Sequence, residues 1–587
     1  MRILGLGLIW LAAGGLLQPA HGQGCAEFVG TWTTGLPVRD LFEVRVTVRE
    51  QAGGFVAEIE SGQGREVVPV WLDGQHLRFQ SVLAALAFDG LVSVDGSSIG
   101  GFVQSSSHVT RVSLPRADGA ADAAWTMRWS PLGRTGDTAR FDLYVQDDRD
   151  GRGGFFFFRD QRLPALWGYG LECSAGSVQL GEKNLGLWFT GGIGEAGDLE
   201  LTATGPTGSM PVVFQRVPQD SVPAQPDASV LPARDSARIE YDGLAPASLE
   251  DGWPTAAPSE VGIVPGLIGD LVRAVAEGEL AYTHSVLVTR GGRLAVEEYF
   301  YGFDRETLHD MRSASKTVTS TLIGLAIQDG RIESSDARAL SFFPNYRRYD
   351  NWDPRKADIT VRHLLTMSSG LDANDSDPAS TAAEGTYQSQ TRRPDWIKLA
   401  LDAPMLEDPG TQPLYGSANP MILGGVLAGV VDEPVEWFAH LNLFEPLGIE
   451  SYRFFLDPTG IPYMGGGLYL RPRDMAKFGQ MYLDGGMWQG RRVLDEAWIE
   501  ESWGRYGRLR PLDRNGHEYG YLWWHHQYEV GDRTIETVEA RGNGGQYIFV
   551  APSVDLVVVI TSGNFRNGKT REPEEILRRF ILPAVVR

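Results

Sequence analysis

Arg312-Ser313-Ala314-Ser315-Lys316-Thr317 is the stretch that decides how this 587-residue chain is read. Ser313 and Lys316 stand three residues apart, which on a helix puts a hydroxyl and an amine on one face about a turn apart. The next residues supply that helix. Val318, Leu322, Ile323, Leu325 and Ala326 are apolar at helical spacing, and Asp329-Gly330 provides a stop. Ser313 is thereby placed in the first turn, where backbone N–H groups and the helix dipole favour a developing negative charge. A nucleophile beside a base is the minimum for acyl transfer. By itself, the four-residue pattern more readily fits a serine near a helix start with a solvated lysine one turn on.

Composition narrows the choices. A chain of 587 residues exceeds one ordinary domain, and 42% hydrophobic residues are enough for sizeable cores. With 53 basic against 75 acidic residues the net charge is -22, which argues against a nucleic-acid or anionic-membrane partner. Residues 1–22 combine Arg2, a short apolar run to Leu17 and small residues at Ala20 and Gly22, the pattern of a secretory signal peptide. The expectation is an exported protein, periplasmic or extracellular, with no membrane-spanning segment once the signal is removed. Gly22-Gln23-Gly24 ahead of Cys25 is a poor lipoprotein box. Cys25 and Cys173 are the only cysteines, and in an exported chain they form a disulfide candidate, the alternative being two buried thiols. No His/Cys cluster has metal-ligand spacing, so neither a metal nor a cofactor is expected.

Residues 23–217 read as β-structure. Phe42, Val44, Val46 and Val48 alternate with Glu43, Arg45 and Thr47, and similar runs recur at 67–72, 141–145, 155–158 and 186–189 between Gly- and Asp-rich turns. An all-β barrel or sandwich is expected there, as an accessory domain. Gly96-Ser97-Ser98-Ile99-Gly100 matches the nucleophile-elbow pattern, but that motif needs a strand leading into a helix, and the flanks here suggest a hairpin turn. Seven prolines punctuate residues 218–258, which marks 218–250 as an extended linker. Residues 251–587 change pattern. A helix is expected over 261–279 and a hairpin over 284–300. Further strands are expected over 519–526, 545–550 and 556–561, and a closing helix over 574–582. The whole is multidomain: the all-β region, then an α+β domain with an antiparallel sheet flanked by helices and a helical subdomain inserted between its strands.

Three further segments accompany Ser313-Ala314-Ser315-Lys316. Asp358 to Gly370 precedes the helical insert. Pro409-Gly410-Thr411-Gln412-Pro413-Leu414-Tyr415-Gly416-Ser417-Ala418-Asn419 sets a tyrosine and small polar groups in a turn-rich loop. Ala540-Arg541-Gly542-Asn543-Gly544-Gly545-Gln546 opens a strand. In this order, joined by Phe444 to Ile449 and Arg471 to Gly479, they resemble the serine hydrolases of the β-lactamase and penicillin-binding-protein superfamily. The resemblance is to the class C-like branch with its esterases, D-aminopeptidases and 6-aminohexanoate-dimer hydrolases, and it runs over residues 251–587.

The resemblance implies a β-lactamase-like fold, a small-molecule or peptide-like substrate and these roles. Ser313 matches the acylated nucleophile, Lys316 its activating base, and Tyr415 the tyrosine that passes protons to the leaving group and activates the deacylating water. The backbone N–H groups of Ser313 and Asn543 match the oxyanion hole, with Gly542, Ser417 and Gln546 around the substrate. Two positions depart from the pattern. Ser417 stands where many relatives have asparagine, with Asn419 as a possible substitute. Ala540 stands where the third motif carries a cation, and Arg541 beside it points to the other side of a strand. The implied function is therefore ester or amide hydrolysis through an acyl-enzyme. The alternatives are a β-lactamase or D,D-peptidase, or a catalytically silent binding relative. His309 and His363 read as packed histidines and Tyr547 and Phe549 as sheet packing, while Trp523 and Trp524 compete equally for the cleft, since strand neighbours alternate.

Overall fold

The computed structural model describes residues 27–586 apart from 29, 37–42, 52–53, 63, 106–107, 118–123, 130–138, 146–153, 159–170, 175, 183–186, 206–207, 218–240, 250, 281, 302, 390–394, 511–516 and 565–567. The expected signal peptide, most of the expected linker, and Cys25 lie outside the described residues. The chain divides into two compact units, Met1–Pro223 with Phe455–Gly460, and Ala224–Phe454 with Ile461–Arg587.

The first unit is all-β among the described residues. Seven strands from Val44–Gln51 to His108–Pro115 follow one another as antiparallel neighbours, and an eighth, Ala124–Trp129, pairs back onto the first through Val46↔Met127. The register follows from alternation. Val44, Val46 and Val48 are buried while Arg45, Thr47 and Arg49 face outward, so a one-residue slip would expose every valine. The same face collects Ala57, Ile59, Leu77, Phe79, Phe88, Val103 and Leu114, with Phe79 stacked on Phe88 at 5.0 Å. Each valine, leucine, isoleucine or phenylalanine side chain among them contributes about 1.5–3 kcal/mol when fully buried. A second antiparallel sheet runs from Gly154–Phe158 through Gly30–Leu36 to Leu171–Ser174, the strand that holds Cys173. The nucleophile-elbow match is a hairpin turn. Asp95 accepts from Ser93 Oγ, Ser97 Oγ and Ser97 N–H, Gly96 adopts φ 68°, and Ser98 starts a strand rather than a helix.

The second unit is built on a six-stranded antiparallel sheet. Its strands lie in the order Arg293–Tyr299, Thr283–Arg290, Leu556–Ser562, Gln546–Ala551, Arg533–Gly542 and Trp524–Val530. Val286, Val288, Val558, Ile560 and Phe549 face one layer, formed by the Pro265–Ala276 helix and the carboxy-terminal residues Ile576 to Val585. Ile548 and Val557 face the Pro472–Leu483 helix on the other side. That helix lies so close that a Cβ on Gly479 would come 2.7 Å from Val557 Cγ1 and 2.8 Å from Ile548 Cγ2. Both sheet faces are thus covered, and Leu556–Ser562 is buried along its whole length. The Lys316–Gln328 helix is buried on every side from Lys316 to Ala326 and packs against the Ala418–Val430 helix of the helical insert. Val318, Leu322, Ile323, Leu325 and Ala326 are apolar at helical spacing, which predicts one buried face. Burial all round instead marks a central helix, which accommodates Thr317, Thr319 and Thr321 because each hydroxyl donates to a backbone carbonyl.

Some boundaries differ from expectation. The helix expected from 261 starts at Pro265, because Gly262 turns left-handed at φ 71° after a short 3₁₀ turn. The strand expected over 519–526 begins only at Trp524, since Leu522 adopts φ 65° and donates its N–H to Leu365 and Gly520 rather than to a sheet neighbour. Ala540 to Gln546 does not open a strand. It ends one (Arg533–Gly542), turns at Asn543-Gly544-Gly545, and enters the next at Gln546. The closing helix is interrupted by a wide turn at Leu577–Ile581. No helix among the described residues is long and apolar enough to cross a membrane.

Candidate active site

Ser313 sits in a 3₁₀ turn, Arg312–Ser315, that leads directly into the Lys316–Gln328 helix. Residues three apart eclipse one another in a 3₁₀ turn, which brings Lys316 over Ser313 more directly than an α-helix would. Lys316 Nζ donates to Ser313 Oγ at 2.8 Å and also to the carbonyl oxygen of Gly465. The turn is entered with strain. Arg312 adopts φ 50°, which is unfavourable for a side chain with a Cβ. Asp310 holds it there, accepting the Arg312 N–H at 2.9 Å and pairing with its Nε at 2.8 Å. Ser313 is only half-buried, whereas Lys316 is 1% exposed.

Tyr415 joins this pair from the loop ahead of the Ala418–Val430 helix. Lys316 Nζ lies 5.2 Å from its ring centroid, and the Trp524 ring centroid lies 5.8 Å from it. The loop is fixed on both flanks: Leu414 N–H donates to Met367, Tyr415 N–H to Arg510, and the Tyr415 carbonyl accepts from Asp375 N–H at 3.1 Å. Between the two tryptophans the structure decides. Trp523 is fully buried and stacks on Phe478, so it is core, and Trp524 is the one beside Tyr415.

The third segment reaches the site through Gly542. A Cβ there would lie 2.3 Å from the Met311 carbonyl oxygen and 3.2 Å from Ala314 N, so only glycine lets the strand end approach the Ser313 turn. Asn543 follows it and is exposed. Ala540, on the same face as Gly542, is fully buried and brings no charge. Arg541 points to the other face, where it pairs with Glu539 at 2.6 Å and Glu574 at 3.4 Å and lies 5.4 Å from the Trp524 ring centroid. Gln546 is fully buried with its amide committed to the sheet, donating to the Ser562 carbonyl at 2.6 Å and accepting the Ser562 N–H at 3.3 Å. Ser417 is fully buried and donates both its N–H and its hydroxyl to Asp375. Asn419 turns to Gly416 O and Met367 Sδ instead. The structure thus gathers Ser313, Lys316, Tyr415 and Gly542, ties Ser417 into their support, and turns Gln546 inward.

Asp375, Gly465 and Trp524 are the neighbours that motif spacing could not single out. Burial pushes the Asp375 carboxyl up to about 6, with Glu384 adding to the rise, while Lys316 and the Ser417 hydroxyl pull it back. His284, His309 and His363 bond outside this cluster. His284 and His309 bond to each other at 2.9 Å, burial holding His309 down to about 4, and His363 N–H donates to Thr360 Oγ1 within its own helix start. No group of three or more His, Cys, Asp or Glu side chains able to hold a metal ion occurs among the described residues.

A half-exposed serine in hydrogen-bond reach of a buried lysine, at the start of a central helix with a tyrosine ring alongside, is the arrangement of a serine hydrolase. Residues 268–582 match the family model described as Beta-lactamase. That segment is more than half of the chain, and the chain belongs to the β-lactamase family, as a serine hydrolase. A 6-aminohexanoate-dimer hydrolase of Paenarthrobacter ureafaciens is 27% identical over 300 residues, covering 47% of this chain and 71% of that protein. Among solved structures, a penicillin-binding protein homologue from Pyrococcus abyssi is similar at TM-score 0.43 and 20% identity, over 54% of this chain and 75% of the other. A D-stereospecific amidohydrolase from Streptomyces sp. is similar at TM-score 0.40 and 19% identity, over 50% and 92%. Both TM-scores lie below 0.5 and add nothing to the family assignment.

Proposed function

We propose that this chain is an exported hydrolase that cleaves an ester or amide bond through an acyl-enzyme on Ser313. The observation that carries the reading is the 2.8 Å contact between Lys316 Nζ and Ser313 Oγ, with the Tyr415 ring beside the same amine. In the resting arrangement Lys316 donates to Ser313. For attack the direction reverses: a neutral Lys316 amine takes the Ser313 proton as Oγ bonds to the substrate carbonyl carbon. The tetrahedral oxyanion is held by the backbone N–H groups of Ser313 and Asn543 at the helix start and the hairpin turn. Its collapse breaks the bond to the leaving alcohol or amine, which takes a proton through Tyr415. Water then adds to the acyl-enzyme by the same path in reverse and releases the acid. The amino-terminal signal segment supports export, residues 23–217 acting as an accessory domain joined by the 218–250 linker to the hydrolase domain at 251–587.

A fluorophosphonate probe tests the reading. Wild type becomes labelled and Ser313→Ala does not; equal labelling of the two would sink it. The buried Ala540 at the third motif supports an ester or amide over a β-lactam. Stable acylation by a fluorescent penicillin, or turnover of a chromogenic cephalosporin, would reverse that preference. Sequencing the amino terminus of protein recovered from the cell exterior or periplasm tests export, with a chain starting near Gln23 expected.

A further inference from the structure

Asp375 receives three hydrogen bonds from two separate segments. Ser417 gives its N–H at 2.8 Å and its hydroxyl at 2.7 Å to Oδ2, and Glu384 gives its N–H at 2.9 Å to Oδ1. The Asp375 N–H closes the ring by donating to the Tyr415 carbonyl at 3.1 Å. Between the two bonded residues, Gly416 runs so close to the Asp375 loop that a Cβ there would overlap the Ala373 carbonyl oxygen at 1.6 Å. Tyr415, Gly416 and Ser417 are therefore fastened to this loop at every residue. The same carboxylate feels the Lys316 charge on one side and Glu384 on the other. Glu384 in turn accepts from Tyr463 Oη at 2.6 Å, and Tyr463 Oη bonds Tyr387 Oη at 2.7 Å. The charged and titratable groups around Asp375 are thus Glu384, Lys316 and, behind Glu384, Tyr463 and Tyr387.

We propose that Asp375 is a positioning residue that holds the Tyr415–Ser417 segment against the Ser313–Lys316 pair only while it is ionised, so that its protonation disengages the tyrosine. This rests on the reading of Ser313, Lys316 and Tyr415 given above. A carboxylate is an acceptor at both oxygens, and all three incoming groups are donors. A proton on Oδ1 confronts the Glu384 N–H with another donor, and a proton on Oδ2 either confronts the Ser417 N–H in the same way or is given to Ser417 Oγ, whose hydroxyl must then turn and accept instead of donate. Either placement replaces charge-assisted bonds with neutral ones and weakens the hold on Ser417 and Glu384. Ser417 stands where related enzymes carry an asparagine, and its hydroxyl is spent on Asp375.

The sign follows from the direction of the shift. An acid raised to about 6 is ionised at neutral pH and takes up its proton as pH falls through that value, so activity carries an acid limb there. The experiment is the pH profile, from 5 to 9, of the rate at which the full-length protein reacts with a fluorophosphonate, with melting temperature as a check on folding. Wild type shows the acid limb. Asp375→Asn, which is permanently uncharged, removes the limb and lowers the rate at pH 8 by about tenfold or more, because a small displacement near the reacting atoms is enough for that. Ser417→Ala moves the midpoint to higher pH, since that hydroxyl favours the ionised form. Glu384→Gln moves it lower, since a neighbouring negative charge disfavours it. A purely structural role would lower melting temperature and rate together and leave the midpoint in place in both. If Asp375→Asn does not fold, the opposite shifts of Ser417→Ala and Glu384→Gln decide. An unmoved limb in all three variants overturns this inference alone, whereas labelling that survives in Ser313→Ala overturns the underlying reading instead.

Discussion

The Val44–Gln51 strand and the Ser313–Lys316 turn bury side chains by opposite rules. In the strand, every inward residue is apolar and every charge stays outside, so its stability is a sum of small, similar contributions. Around the turn, Lys316, Ser417 and Asp310 are all less than a tenth exposed, beside a strained Arg312 backbone. Each buried charge is tolerable only because named partners surround it, and removing one partner leaves the other stranded. The first region is redundant and the second is not. Substitutions should therefore separate the two, one by melting and the other by chemistry.

The largest separation is expected at Lys316. Lys316→Ala should cut the fluorophosphonate rate by about a thousandfold or more, because both activation of Ser313 and the neighbouring charge vanish. A retained rate would assign the base to another group. Next come the two tryptophans. Trp523→Ala opens a cavity among Phe478, Tyr482 and Trp503 and should cost about 3–5 kcal/mol in chemical denaturation. Trp524→Ala should lower kcat/KM toward esters more than it lowers stability, and the reverse ranking would break the assignment of Trp524 to the site. The smallest effect belongs to the strand. Val46→Ala should destabilise the first unit by about 1–3 kcal/mol while labelling of Ser313 proceeds at the wild-type rate. A slower rate would show that the two units are energetically coupled.

Local periodicity explains what could be read directly. The alternation at Val44, Val46 and Val48 fixed a strand and its buried face, because neighbours in a pleated chain point to opposite sides. The i, i+3 spacing of Ser313 and Lys316 likewise survives the change from an α-helical to a 3₁₀ start. Alternation also said that one of Trp523 and Trp524 faces the cleft, but not which, since the answer depends on a loop more than a hundred residues earlier. The apolar and aromatic run over 519–526 predicts strand at Leu522, whereas its left-handed backbone goes with an N–H that is given to Leu365 and Gly520 and not to a sheet neighbour. Asp375 was invisible for a similar reason. It lies in a polar loop like many others, and its meaning comes only from Ser417 and Lys316 reaching it in space. Gln546 shows the opposite error: a motif position suggested the substrate cleft, and the side chain instead fastens two strands at Ser562.

One partner of Lys316 is a main-chain carbonyl, that of Gly465. Every amino acid has such a carbonyl, so no side-chain substitution at that position deletes the acceptor itself. What natural variation can disturb is the approach, because any residue with a Cβ there would come 2.4 Å from Tyr463 Oη. Half of the lysine's anchorage is therefore hidden from comparisons of residue identity. It would surface in an evolutionary record only as a glycine whose neighbours give no hint of why it never drifts.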